Sequence, residues 1–183
     1  MIRAAVLTAC GAAPTIVERP APVPADGAVA VTVEAVPITP LDVLCASGTS
    51  YFGPPSTPYV LGVQGVGRLA DGTAVWFGTS AGMRSGVDGS MATTVTVPTV
   101  DVVALPAGVP LTVLAALGLS AVAAHAALTD AGGLAAGDQV VVLGAGGVVG
   151  QAAVQLALPA LPARRRSVSS RTAARNSGSV SPG

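Results

Sequence analysis

Residues 138–158, DQVVVLGAGGVVGQAAVQLAL, limit the fold more than any other stretch of this chain. Residues 139–143 read as a short apolar strand of the kind found in the middle of a parallel sheet, where both faces are covered. A glycine cluster follows and runs into a helical segment. Glycine at 144, 147 and 150 lets the backbone turn sharply, lets a pyrophosphate come close and lets the helix pack against its strand. The amides at the helix start then face the phosphates. The literal G-x-G-x-x-G at 144, 146 and 149 breaks at Val149, so the spacing is G-x-x-G-x-x-G. A purely structural glycine turn would use the same residues, but the strand before and the helix after favour a dinucleotide.

At 183 residues the chain is one ordinary domain, or one domain plus the beginning of another. Apolar residues make up 51% and charged residues 10%, a balance that calls for a core and excludes disorder throughout. Only 3% is aromatic, so small aliphatic side chains supply the packing. The formal net charge of zero is unevenly spread: all nine acids precede residue 158 together with four arginines, whereas residues 159–183 hold five arginines and no acid. The body has no basic face for a phosphate backbone, and no nucleic-acid partner is expected. Cys10 and Cys45 are too few and too isolated for a disulfide scaffold or a thiolate zinc site, which fits a reducing, cytoplasmic setting. The N-terminal apolar run meets Pro14 and Glu18 before it can become a signal segment.

The first hundred residues read as mostly β, a partly open barrel. Residues 3–9 and 28–36 are strand candidates, the second with valines on alternate positions. The stretch RPAPVPADG between them is a proline-rich turn. Prolines at 37, 40, 54, 55 and 58 make residues 37–59 loop-like. Short strands separated by glycine turns follow in VLGVQGVGRLADGTAVWFG, MATTVTVP and DVVALP. From residue 111 to 128 the sequence is alanine- and leucine-rich and helical in propensity, with Gly118 weakening a single rod. The window 109–128 carries no formal charge, as a membrane span would. Pro110, His125 and the lack of aromatic belts point instead to a buried helix or helix pair of an α/β protein, without a membrane role.

Six blocks stand in an order that resembles the medium-chain dehydrogenase/reductase superfamily, in its zinc-independent quinone oxidoreductase branch. They are PITPLD, YVLGVQGVGRLADGTAVWF, GSMATTVTVP, VALPAGV, GLSAVAAHAAL and GDQVVVLGAGGVVGQAAVQLA, and they cover about residues 1 to 158. The resemblance implies a mainly β, GroES-like, partly open barrel over residues 1–110. The first β-α part of a Rossmann α/β domain would follow over 111–158, and a basic, disordered tail over 159–183. It also implies binding of NADPH, or NADH, and hydride transfer to a small apolar quinone or α,β-unsaturated carbonyl.

The same comparison assigns site residues. Zinc-dependent relatives carry a cysteine three positions before the aspartate of the PLD segment and a His-Glu pair after the glycine of the LG segment. Here those places hold Thr39, then Val63 and Gln64, so a metal-independent reaction is implied. Without a metal, reduction rests on placing the nicotinamide beside the acceptor in a dry cleft. Tyr51 stands in the loop where quinone oxidoreductases often have a tyrosine, and is the candidate donor to a developing enolate or hydroquinone oxygen. The bland reading makes Tyr51 and Phe52 apolar wall. Thr39 is the candidate contact to substrate or nicotinamide ribose, and Asp42 is expected to hold its loop through backbone amides. Gly144, Gly147, Val149 and Gly150 are the cofactor-binding candidates. His125, the only histidine, is read as a satisfied interface residue, and Arg68 and Trp76 as structural.

A Rossmann domain needs more strands after its glycine turn, whereas Pro159 and Pro162 end the helix here and no apolar strand follows. The chain is thus expected to be a truncated relative whose tail arose by frameshift or gene decay, with activity impaired or lost. The apolar strand and helix would then need a second copy or another subunit to cover them. A non-catalytic fold remnant or interaction module is the alternative.

Overall fold

The computed structural model describes residues 1–83 and 87–158, and the expectations for the tail lie outside the described residues. The described chain divides into two compact units, one spanning Met1–Leu119 and the other beginning at Ser120.

The first unit is the GroES-like, partly open barrel. Strands β1 (Ile2–Leu7), β2 (Thr15–Arg19) and β4 (Tyr59–Val60) form one sheet in the order β2-β1-β4. Strands β3 (Ala28–Ala35), β5 (Gln64–Arg68), β6 (Ala74–Gly78), β7 (Thr94–Pro98) and β8 (Val102–Ala104) form the other, ordered β7-β3-β5-β6-β8. Every pairing is antiparallel. Residues 91–93 lace the sheets together. Ala5 N–H donates to Met91 C=O at 2.8 Å, Thr93 N–H to Arg3 C=O at 2.9 Å, and Val33 N–H to Thr93 C=O at 3.1 Å.

Alternation along β3, β6 and β7 turns one face inward, as a half-buried strand requires. That face supplies Val31, Val75, Phe77, Val95 and Val97 to one core cluster. Leu7, Tyr59, Leu61 and Ala81 form a second, and Ala4, Val6 and Val60 a third. The core is thus aliphatic, as the scarcity of aromatics demanded, with Phe77 wholly enclosed.

Residues 37–59 are not all loop: a helix, α1, spans Pro40–Ser47. Proline excludes a helix only from its interior, and Pro40 stands in the first turn, where no intrahelical N–H partner is needed. Thr39 is the N-cap and Asp42 closes a reciprocal capping box with it, while Gly48 ends the helix in the left-handed region at φ 76°.

Tyr59 contributes the one buried side-chain polar atom without a hydrogen-bond partner among the described residues, its hydroxyl. Burial, reinforced by Cys45, Cys10 and Asp42, pushes its pKa up to about 12 from 10.0. The folded state therefore keeps its proton while the unfolded state loses it. Stability is full below pH 10 and falls as pH rises from 10 to 12, by at most about 2–3 kcal/mol. Tyr59→Phe should flatten the part of the alkaline slope between pH 10 and 12 in urea titrations, at little cost at pH 7, leaving the smaller loss that the raised Cys45 thiol contributes; an undiminished slope would assign it to other groups.

The 111–128 segment folds as α2 (Leu111–Ala126), but Gly118, at φ 24° and ψ −126°, breaks it into two helical pieces. A π turn, Ala127–Ala131, continues the second piece. In place of the expected burial, only 11% of its most apolar window is enclosed, although length and composition would suit a membrane span. His125 is likewise exposed. In the second unit, Ala124 packs with Ala152 and Ala153 of helix α3 (Val148–Ala157), joined by Ala121, Leu128 and Val142. Residues 139–143 lead into the glycine turn in the order a Rossmann start requires, yet they pair with no strand among the described residues. A strand exists only by its ladder, and without one Val141 and Leu143 stand 85% and 90% exposed.

Candidate functional site

The site candidates fall in two places. In the first unit Thr39 stands at the start of α1, and Tyr51 lies four residues beyond its end. Asp42 is buried and organises this corner: its Oδ2 accepts from Thr39 N–H at 2.7 Å and from Thr39 Oγ1–H at 2.6 Å, and its Oδ1 accepts from Val63 N–H at 2.9 Å. Thr39 Oγ1 in turn accepts from Asp42 N–H at 3.3 Å. Two of the positions compared with metal ligands, Thr39 and Val63, are thus tied to one carboxylate, and Asp42 has the backbone-holding role expected of it. The Thr39 hydroxyl spends its proton on Asp42, so toward a ligand it can only accept.

Tyr51 follows α1 and is 80% exposed, with its ring 4.2 Å from that of Phe52. Ile38, just before the helix, and Val43 and Leu44 on it are also exposed. Exposed apolar side chains thus stand on both sides of Thr39 in sequence, and of these Tyr51 and Phe52 pack together. Cys45 of α1 is buried; burial pushes its thiol up, a hydrogen bond to Ser50 opposes this, and Asp42 adds to it. A thiol so placed is a packing group and not a nucleophile.

The second place is the turn into α3. Gly147 is its N-cap in extended conformation, and no side chain caps the helix, so its leading amides are left for an outside acceptor. Gly147 N–H donates to Gly144 C=O at 3.0 Å, which closes the turn. A Cβ at 150 would strike the Gly144 carbonyl and the Ala145 Cα, so only glycine lets α3 start this close to the turn. Nothing would obstruct a Cβ at 144 or 146, where the backbone is open to a ligand. Val149 lies in the first turn with its side chain about half exposed. The turn therefore leaves backbone N–H donors uncapped at the start of α3, beside glycines whose surroundings are open.

Sequence reasoning missed α1 and the role of Gln64, a buried side chain that bonds to Trp76 and to Leu119. The signal for α1 was present as T-P-L-D followed by Gly48, a capping box with proline inside the start and glycine past the end.

No protein-family model matches the chain. Among solved structures it is similar to an alcohol dehydrogenase superfamily protein from Novosphingobium aromaticivorans, at 27% identity and a TM-score of 0.77, covering 88% of this chain and 51% of that one. The quinone oxidoreductase of Thermus thermophilus, also solved with NADPH, is 29% identical with a TM-score of 0.73, covering 85% and 50%. The human synaptic vesicle membrane protein VAT-1 homolog-like protein is 26% identical with a TM-score of 0.78, covering 88% and 53%. Among curated proteins, a reducing polyketide synthase, PKS2, of Cochliobolus heterostrophus is 36% identical over 101 residues, which is 50% of this chain and 5% of the synthase. Homology thus reaches the superfamily of medium-chain dehydrogenases and quinone-oxidoreductase-like proteins, and the chain spans about half the length of the solved relatives.

Proposed function

We propose that this chain carries the substrate-side barrel and the leading cofactor turn of an NAD(P)H-dependent, metal-independent oxidoreductase of the quinone oxidoreductase type. The observation that carries the reading is the turn at Gly144–Gly150, where uncapped helix amides and a glycine-only close approach coincide on a chain similar to an enzyme solved with NADPH. Gly144, Gly147, Val149 and Gly150 would hold the pyrophosphate, and the bound nicotinamide would supply the hydride. Tyr51 would donate to the acceptor's developing oxyanion, with the exposed ring of Phe52 beside it and Thr39 accepting a hydrogen bond from substrate or ribose. The acceptor is a small apolar quinone or enone. Similarity to a protein named a reducing polyketide synthase also fits a reductive role.

In this reading the barrel domain covers 1–110, the Rossmann start 111–158 and the basic tail 159–183, although the compact units divide between Leu119 and Ser120. A reducing, cytoplasmic setting and no nucleic-acid partner complete the reading. In this reading turnover by this chain alone would be impaired, since, among the described residues, 139–143 have no sheet neighbours and the adenine side of the fold has no strand. A non-catalytic remnant or interaction module is favoured by one observation, the exposed apolar pair Val141 and Leu143, which a second copy or another subunit would cover.

Titration of NADPH fluorescence, followed by addition of a quinone, separates the two. Binding with quinone-dependent oxidation supports the oxidoreductase, binding without oxidation supports the impaired form, and no binding favours the module. In the same titration Gly150→Ala should weaken NADPH at least about tenfold, because the new Cβ meets backbone that cannot swing aside. Equal affinity in the variant would remove the turn from the binding site.

A further inference from the structure

Gln64 opens β5 and is 1% exposed; among the fully buried side chains only Phe77 and Leu7 are larger. Enclosing a carboxamide costs free energy unless its polar atoms are bonded. Its Oε1 accepts from Trp76 Nε1–H at 2.9 Å and from Leu119 N–H at 2.8 Å. Leu119 is the residue immediately after the break in α2. In an uninterrupted helix its N–H would bond to the Ala115 carbonyl one turn back. A Cβ at 118 would land on the Gln64 carboxamide, so the approach is open to glycine alone.

Local sequence does not demand this break. Leu111–Leu117 and the residues after Gly118 are good helix formers, and one interior glycine costs a helix only about 1 kcal/mol relative to alanine. Something outside the helix must therefore favour the broken form, and Gln64 is the group that meets it.

We propose that Gln64 is a positioning residue that selects the broken form of α2, with its side-chain carbonyl replacing that of Ala115 as the acceptor for Leu119. The indole of Trp76 shares the same oxygen and holds the carboxamide in place. Because Trp76 is the only tryptophan, it also reports on the lock. The inference stands independently of the oxidoreductase reading.

In the isotope-labelled full chain, a scalar coupling through the hydrogen bond should connect the Leu119 amide nitrogen to Gln64 Cδ. A coupling from Leu119 to the Ala115 carbonyl in its place would overturn the proposal. In Gln64→Leu, Gly118 Cα should move into the helical shift range, the Leu119 coupling should pass to Ala115, and Trp76 emission should change. Gln64→Glu keeps an acceptor oxygen at this position and should keep the Leu119 coupling on the side chain. Gly118→Ala should displace the carboxamide and alter Trp76 emission as Gln64→Leu does. Unmoved Gly118 shifts in Gln64→Leu, or unmoved Trp76 emission in Gly118→Ala, would show that the break needs no lock.

Discussion

Asp42→Ala is expected to destabilise the first unit by about 3–5 kcal/mol, as large an effect as any substitution at the candidate site. The carboxylate receives three hydrogen bonds, two from Thr39 and one from Val63 N–H. Val63 is almost wholly enclosed, so its N–H would lose its acceptor with little access to water. Orphaning the buried Val63 N–H costs about 1–3 kcal/mol, and losing the cap that ties half-buried Thr39 to the helix costs up to about 2 kcal/mol more. Asp42→Asn keeps one acceptor oxygen and should cost about half as much. Urea unfolding followed by Trp76 emission measures both. If Asp42→Ala unfolds at the wild-type midpoint, the capping box and the Val63 bond contribute nothing net, and the corner that presents Thr39 is held by other contacts. Should the variant remain folded, Thr39 loses its partner, and any part it has in the proposed reaction would change with it.

Phe77→Ala should cost about 3–5 kcal/mol, the usual range for emptying a phenylalanine site in a packed core. Phe77 is at zero exposure on β6 and packs with Val31, Val75, Val95 and Val97, drawn from three strands of the five-stranded sheet. Those neighbours are β-branched and stiff, so they cannot swing in to fill the space. Small domains have only about 5–15 kcal/mol in reserve, and this substitution consumes much of it. Phe52→Ala is the control: the ring is 44% exposed, and its removal should cost under about 1 kcal/mol. Equal losses for the two phenylalanines would mean that the core assignment is wrong.

The two predictions differ in how they could have been seen beforehand. Asp42 and Thr39 were each singled out in sequence for separate roles, yet their pairing went unseen and the proline count hid the helix they cap. What matters for proline is its position at the helix start, which a count does not weigh. Phe77 lies in a strand that alternation picks out, but alternation cannot say which of several apolar residues ends at the centre.

The glycine turn shows the same division. The order of extended segment, turn and helix was readable because glycine, apolar runs and helix formers act on their immediate neighbours. The ladder for residues 139–143 was not, because pairing depends on strands elsewhere in the fold and none of the described ones meets it.

What the sequence determined by itself was the local grammar: an aliphatic barrel built from alternating strands, then a β-α start ordered around Gly144, Gly147 and Gly150. These follow from steric limits and side-chain periodicity, which operate within a few residues. The tertiary structure alone decided which polar groups meet across the chain: Asp42 with Val63, and Gln64 with both Trp76 and Leu119. Those pairs are separated by 21, 12 and 55 residues, and no local preference encodes them. They form because a buried carboxylate or carboxamide must find donors wherever the packed chain brings them.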